Sequence, residues 1–249
     1  MRSASWTSAT LAGLATVPFA MLLAGCVTTQ QIAARARLVD ARIRASQVPL
    51  RITQRSPDAE VTGLSLIRAP AGTAVVAQVR STSTRPLTDL PIAVGVINRT
   101  GAKRYLNRGA NLAYFDSHIA AIGPRSVATW VFTTGRRIAT SWRPFAEVGV
   151  TQLAEPATTA LPPVTVASAR GTSAAGVRSL HLVVTNGSAI PQYGLQVYAV
   201  AVRAGKILAA GSNTVTHLGS NGRESVQLAL LGRTGWSAIR LSAVPTIFR

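Results

Sequence analysis

Along most of the chain apolar residues alternate with polar ones at a period of two, in short runs bounded by Gly, Pro, Ser and Asn. Alternation of this kind puts every second side chain on a buried face and predicts half-buried strands. From Val61 onward the clearest runs are Thr73 to Arg80, Pro91 to Ile97, Ser126 to Phe132 and Phe145 to Val150. A second series follows at Val164 to Ala167, Arg178 to Thr185, Leu195 to Arg203, Ile207 to Gly211, Arg223 to Leu230 and Ala238 to Val244. No long helical period interrupts either series, so the expected fold class is all-β, built as β-sandwiches.

The two series repeat one unit. Val75, Ala77, Val79, Ser83, Pro86, Leu90 and Ile92 align without gaps on Leu180, Leu182, Val184, Ser188, Pro191, Leu195 and Val197, an offset of 105. With gaps the order continues: Gly101 and Lys103 on Gly205 and Lys206, Ile122-Gly123 on Leu218-Gly219, Ser126-Val127 on Ser225-Val226, Gly135-Arg136 on Gly232-Arg233, and Trp142 on Trp236. Between the copies, Glu155 to Pro163 lacks alternation and is rich in Pro, Ala and Thr, which reads as a short, stiff linker. The expected organisation is therefore two β-sandwich domains in tandem, at 61–150 and 164–249, joined by a linker at 151–163.

The first sixty residues read differently. Arg2 precedes an apolar run from Leu11 to Ala24, shorter than the about 20 residues of a comfortable membrane span and fitting the core of an export signal. The run ends in Leu23-Ala24-Gly25-Cys26, which resembles the bacterial lipobox. That resemblance implies cleavage after residue 25 and a diacylglycerol on the Cys26 thiol, and so an extracytoplasmic protein held to a bacterial membrane by lipid. Cys26 is the single cysteine, so no internal disulfide competes for it. An ordinary secretory signal with an incidental cysteine and an uncleaved anchor are the other readings. Val27 follows the cysteine, so no Asp stands there to suggest inner-membrane retention.

Residues 26–60 then form a tether. Ile32, Ala36, Val39 and Ile43 recur at three- and four-residue spacings and predict a short amphipathic helix between about Gln30 and Ala45. Arg35, Arg37, Arg42 and Arg44, then Arg51 and Arg55, make this stretch polybasic and are the candidate contacts to an anionic surface, a second membrane signal beside the acyl chains. At about 100° per residue Arg35 and Arg42 point away from Arg37 and Arg44, so a solvated tether or a helix packed on the first domain is the alternative.

The repeat carries a second resemblance. Each copy has an apolar strand, a polar turn with Ser and Pro, a second strand, a Gly-then-Lys turn and a later Leu/Ile-Gly turn. In the second copy these are Leu182 to Ser188, Leu195 to Lys206 and Leu218-Gly219. The pattern is similar to the FxLYD-type and related immunoglobulin-like β-sandwich modules of bacterial lipoproteins. It implies a non-catalytic adaptor or interaction module with an envelope protein as partner.

Charge adds one further possibility. The 249 residues carry 26 Lys+Arg against 8 Asp+Glu; loss of the leader with Arg2 leaves 25 − 8, or +17. Such a chain is drawn to anionic surfaces. Only Lys103 and Lys206 are lysines, a bias that a GC-rich genome explains as well as phosphate recognition does. The arginines are dispersed and not interleaved with aromatics, which argues against nucleic acid and leaves anionic lipid or cell-wall polymer as the polyanions to consider. Arg104, Arg108, Arg136 and Arg137 are the loop arginines available for it.

Catalytic chemistry is thin. His118, His181 and His217 are the only histidines; the last two sit at strand positions expected to face outward. Asp116-Ser117-His118 has the residue types of a hydrolase triad, but consecutive side chains point apart and a surface loop is the expectation. No zinc spacing, EF-hand loop or glycosidase carboxylate pair is present in the sequence, so no catalytic residue, metal or cofactor is assigned. Gly171 to Gly176 and Gly219 to Gly222 lack the Gly-Lys-Ser/Thr ending of a phosphate loop and read as turns. Trp142 and Trp236 are expected to pack in or at the ends of the sandwiches.

Overall fold

The structure is a computed structural model that describes residues 32, 36, 39, 50–109, 112–151, 160–174, 177–233 and 238–248, the side chains of 169–174 and 177–178 lying outside that description. It is all-β. In the N-terminal half the strands are β1 (Ala59–Ala69), β2 (Gly72–Ser81), β3 (Leu87–Ile97), β4 (Lys103–Tyr105), β5 (His118–Ile122), β6 (Val127–Thr134) and β7 (Arg143–Val148). One 3₁₀ turn, Tyr114–Asp116, precedes β5. The C-terminal half holds β8 (Val164–Ala174), β9 (Val177–Asn186), β10 (Gln192–Arg203), β11 (Lys206–Leu218), β12 (Arg223–Gly232) and β13 (Ala238–Val244).

The pairing pattern is written twice. In the N-terminal half β2 lies between β1 and β6, while β3 pairs with β5 along its first part and with β4 and β7 on opposite edges of its second part. In the C-terminal half β9 lies between β8 and β12, and β10 between β13 and β11. Registers match over the strand centres: Val75↔Phe132 corresponds to Leu180↔Leu228, and Leu90↔Ile119 to Leu195↔Val215. One local distortion recurs: Asp89 (φ 55°) and Gly194 (φ 63°), at the 105 offset, are left-handed residues that their ladders skip without a shift of register. The β10–β11 turn, Ala204-Gly205, has positive φ at both positions, the two-residue form that suits a twisted hairpin.

These registers also correct part of the sequence alignment. β6 maps onto β12 with an offset of 96, so Ser126 stands opposite Gly222 and not Ser225. The offset falls from 105 at β4 to 96 at β5, which places nine extra residues in the first copy between those two strands. In the second copy β11 runs straight through that point. The extra residues lie within 106–117, where the 3₁₀ turn puts Phe115 into the core and its carbonyl accepts the Trp130 indole N–H at 3.1 Å.

Each half buries the inner faces of its sheets. Trp130, Phe132, Ile92 and Val94 are sealed in the first, and Leu180, Leu195, Val197 and Leu228 in the second. The halves also share apolar packing. Tyr198, Val200, Ala210 and Val244, all from the C-terminal half, join the core cluster of the first. They project from the outer face of β10–β11–β13 toward β1, β2 and β6.

The strands expected from alternation are present, most of them longer than the apolar run alone. β1 begins at Ala59, two residues before the expected start of the first domain, and was not among the clear runs because a register shift between Val61 and Gly63 breaks its period. β11 extends to Leu218 through Ser212, Asn213 and Thr214, whose polar side chains hide a strand from a hydrophobicity reading. Ile32, Ala36 and Val39 have helical backbone as expected, but Ile32 and Val39 are 57% and 44% exposed, so those two apolar side chains are not packed on the fold. The remainder of that predicted helix and most of the linker are outside the described residues.

Candidate interaction face

The outer face of β4–β3–β7 is built around a glycine. On the inner side Ile92, Val94 and Val96 enter the core. On the outer side the cross-strand rows are Lys103/Ile97/Arg143, then Tyr105/Gly95/Phe145, then Ala93/Glu147. A Cβ on Gly95 would stand 2.6 Å from two ring carbons of Phe145. Its absence lets Tyr105 and Phe145 close over the central strand edge to face, with centroids 5.1 Å apart.

Cations surround this aromatic pair. Lys103 Nζ lies 5.1 Å from the Phe145 ring centroid and donates to Glu147 Oε1 at 2.9 Å. The Arg108 guanidinium lies 3.4 Å from the Tyr105 centroid; its buried Nε has no hydrogen-bond partner, so the ring face is what holds this charge. Arg143 is exposed beside Ile97, with Arg99 exposed at the β3–β4 turn; Arg104, paired with Val96, is exposed on the other side of β4. Glu147 is the only carboxylate on 92–97, 103–105 and 143–148. Burial pushes its pKa up, but the Lys103 hydrogen bond and charge, the Arg55 charge and the Tyr105 hydroxyl together bring it below the ordinary carboxylate value.

The tether joins the fold at this face. Ser56 N–H donates to Val148 O at 3.0 Å, Val150 N–H donates to Gln54 O at 3.3 Å, and Arg55 forms a bridge with Gly149. Of the expected anionic-surface residues, Arg55 therefore sits at the edge of the face, its guanidinium 3.8 Å from Glu147, and Arg51 is exposed just before it. Arg35, Arg37, Arg42 and Arg44, the lipidation residue Cys26 and its motif residues Leu23, Ala24 and Gly25 are outside the described residues. Arg136 and Arg137 go elsewhere: the Arg136 carbonyl accepts from Thr73, and the Arg137 guanidinium donates to Pro70 O.

The corresponding face of the C-terminal half is closed. At the equivalent registers Gly95 becomes Val200, Tyr105 becomes Ala210, Phe145 becomes Arg240 and Ala93 becomes Tyr198. Val200 and Ala210 are buried against the N-terminal half. Tyr198 is buried with them, and burial together with the Asp116 charge raises its hydroxyl pKa. A cleft of about 390 Å³ opens along this seam, lined by Leu66, Val76, Gln78, Val200, Lys206 and Arg240 among others.

The histidines divide as follows. His181 and His217 are exposed on strands as expected, His217 leaning on the Tyr193 ring at 4.7 Å. His118 is not in a surface loop; it begins β5, 9% exposed, stacked on Tyr114 at 4.1 Å. Nor do Ser117 and His118 point apart. Ser117 ends the 3₁₀ turn at φ −128°, ψ −1°, outside strand geometry, which brings its Oγ to 3.0 Å from His118 Nδ1. The Tyr114 carbonyl, an acceptor only, lies 3.0 Å from Ser117 Oγ and 3.2 Å from Nδ1. The serine hydroxyl donates to that carbonyl, and the role of Nδ1 follows the imidazole tautomer.

Around that turn the polar groups brace the insertion. Asp116 accepts from Ala113 N–H at 3.2 Å, with its pKa raised by burial against that bond's opposing pull. Asn107 donates to Ile92 O and Asp116 O and accepts from Val94 N–H. The Tyr114 hydroxyl donates to Asp89 at 2.5 Å. Trp142 packs against the first core as expected, and Trp236 is outside the described residues. Among the described residues no helix is long and apolar enough to cross a membrane, and no cluster of His, Cys, Asp and Glu is placed to hold a metal ion.

No protein-family model matches the chain, and no curated protein matches it. Among solved structures it is similar to red sea bream transglutaminase, at 11% identity and TM-score 0.22 over 82% of this chain and 31% of that one. A second similarity is to the C-terminal globular domain of an oligosaccharyltransferase from Pyrococcus abyssi, at 11% identity and TM-score 0.23 over 79% of this chain and 50% of that one. The chain thus spans half or less of the length of these structures.

Proposed function

We propose that this chain is a lipid-anchored, non-catalytic protein of the bacterial cell envelope whose immunoglobulin-like β-sandwiches serve as an interaction module. The observation that supports this is the contrast between equivalent sheet faces. The fold uses the outer face of β10–β11–β13 as an interface between its own halves, and it leaves the outer face of β4–β3–β7 bearing aromatic and charged side chains. An exposed face on a rigid sheet, reached directly from the tether, suits the capture of an envelope protein. A second reading, binding of anionic lipid or wall polymer, is favoured by the cations of this face and its turn, Arg55, Arg99, Lys103, Arg108 and Arg143, set against the single carboxylate of Glu147.

Intact-mass analysis of protein recovered from membranes tests the anchor. A diacylated species beginning at Cys26, lost in Cys26→Ser, is expected; a soluble chain cut elsewhere removes the anchor. A photo-crosslinking side chain placed at Arg143 tests the face, with the same group at Arg223 for comparison. Adducts concentrated at 143 are expected, and equal yields at both positions would remove this face as the interaction surface.

A further inference from the structure

We infer that the outer face of β4–β3–β7 docks on the anionic headgroup surface of the membrane that carries the protein, with Lys103 and Arg143 as its electrostatic contacts and Tyr105 and Phe145 as its interfacial aromatics. The inference rests on the second reading above and names its partner. Three features of the face point the same way.

Charge comes first. Lys103 and Arg143 flank Ile97 in one cross-strand row, both exposed, and Arg55 extends the cationic edge with its side chain 79% exposed. Glu147 is engaged by Lys103 and Arg55 and presents little free acceptor. Basic residues at an anionic leaflet each add attraction within a Debye length of the surface.

The aromatic pair is the second feature. Tyr105 and Phe145 are half-buried, with apolar bodies and, for Tyr105, a polar tip directed at Glu147 Oε2 at 3.4 Å. Rings of this kind settle at the headgroup level of a bilayer, whereas a soluble polyanion makes no demand for them.

Continuity with the tether is the third. The chain comes onto the sheet at Arg55 next to Glu147, so the segment leading back to Cys26 leaves from the edge of this face and not from the far end of the fold. A face at the root of a membrane tether meets the bilayer at the high effective concentration that tethering creates.

The test uses the mature chain with Cys26→Ser, so that no acyl group contributes, mixed with vesicles of phosphatidylcholine alone or with phosphatidylglycerol added. Binding only to the anionic vesicles is expected, falling as salt rises. Lys103→Gln with Arg143→Gln should weaken it roughly 30-fold, at about fivefold per cation near the surface, while Arg223→Gln on β12 leaves it within a factor of two to three. Equal binding by the double variant overturns the inference, as does retention on polyphosphate with none on anionic vesicles, which assigns the face to a soluble polymer. Loss of the acylated species in the intact-mass experiment would instead strike the anchor and leave this result standing.

Discussion

The β4–β3–β7 face and the β10–β11–β13 face are built from equivalent strands in matching register over their central rows, yet one meets solvent and the other is a protein interior. A handful of side chains makes the difference. Val200, Ala210 and Tyr198 form a surface that gains by leaving water; Gly95, Tyr105, Phe145, Lys103 and Arg143 form one that cannot be covered by another sheet without stranding its charges. The opposite face of the array is treated in the same way. Val76 and Val131, on the face of β2–β6 turned toward the C-terminal half, correspond to exposed His181 and Gln227 on β9–β12, where Gln227 Nε2 donates to Ser179 at 2.6 Å. Polar side chains on an outer sheet face are what terminal repeats of longer solenoids carry.

The comparison breaks most directly at Val200. Val200→Asp puts a carboxylate where the halves meet and should lower unfolding free energy by about 3 kcal/mol or more. Thermal melting would show it as a large drop in midpoint, with separate transitions for the halves if the seam is what couples them; an unchanged melt would mean that the halves do not depend on this contact. Gly95→Val attempts the reverse exchange. The added carbons meet the Phe145 ring and the Arg104 carbonyl, so a loss of about 2 kcal/mol is expected from overpacking in place of a gain in apolar surface.

A smaller effect sharpens the role of the insertion. Because the folded-state pKa of Asp116 is raised, the native protein holds a proton that the unfolded chain has already released. Stability is then greatest below the unfolded pKa and declines as pH climbs through the folded one. Asp116→Asn should remove that decline and raise the melting midpoint at neutral pH, a change read from melts at acidic and neutral pH. The smallest effect belongs to Glu147, whose lowered pKa works in the opposite sense: its contribution is present above the unfolded pKa and fades as pH falls. Glu147→Gln should cost about 0.5 kcal/mol at neutral pH and nothing in acid, measurable by denaturant titration.

The candidate face was only partly legible beforehand. Arg55 and Arg108 were named as cations, but Lys103, Tyr105, Arg143 and Phe145 were not grouped with them, because they come from strands about 40 residues apart and only pairing to β3 makes them neighbours; Arg104, also named, pairs with Val96 and lies on the other side. The one local hint was Gly95, a glycine inside an apolar run, which often marks a close approach to the strand. Ser117 and His118 were misjudged for a related reason. Strand geometry separates consecutive side chains, but Ser117 caps the end of a 3₁₀ turn, and nothing in Asp116-Ser117-His118 announces where the strand begins.

By itself the sequence determined the β class, most strand positions and the doubled unit, because period-two alternation and turn residues are local properties that any register must respect. Tertiary structure alone decided which of two equivalent sheet faces would be buried, where the nine inserted residues would fold back, and which scattered charges would share a surface. Those outcomes depend on pairing between distant strands and on packing between sheets, and no single segment of the chain carries that information.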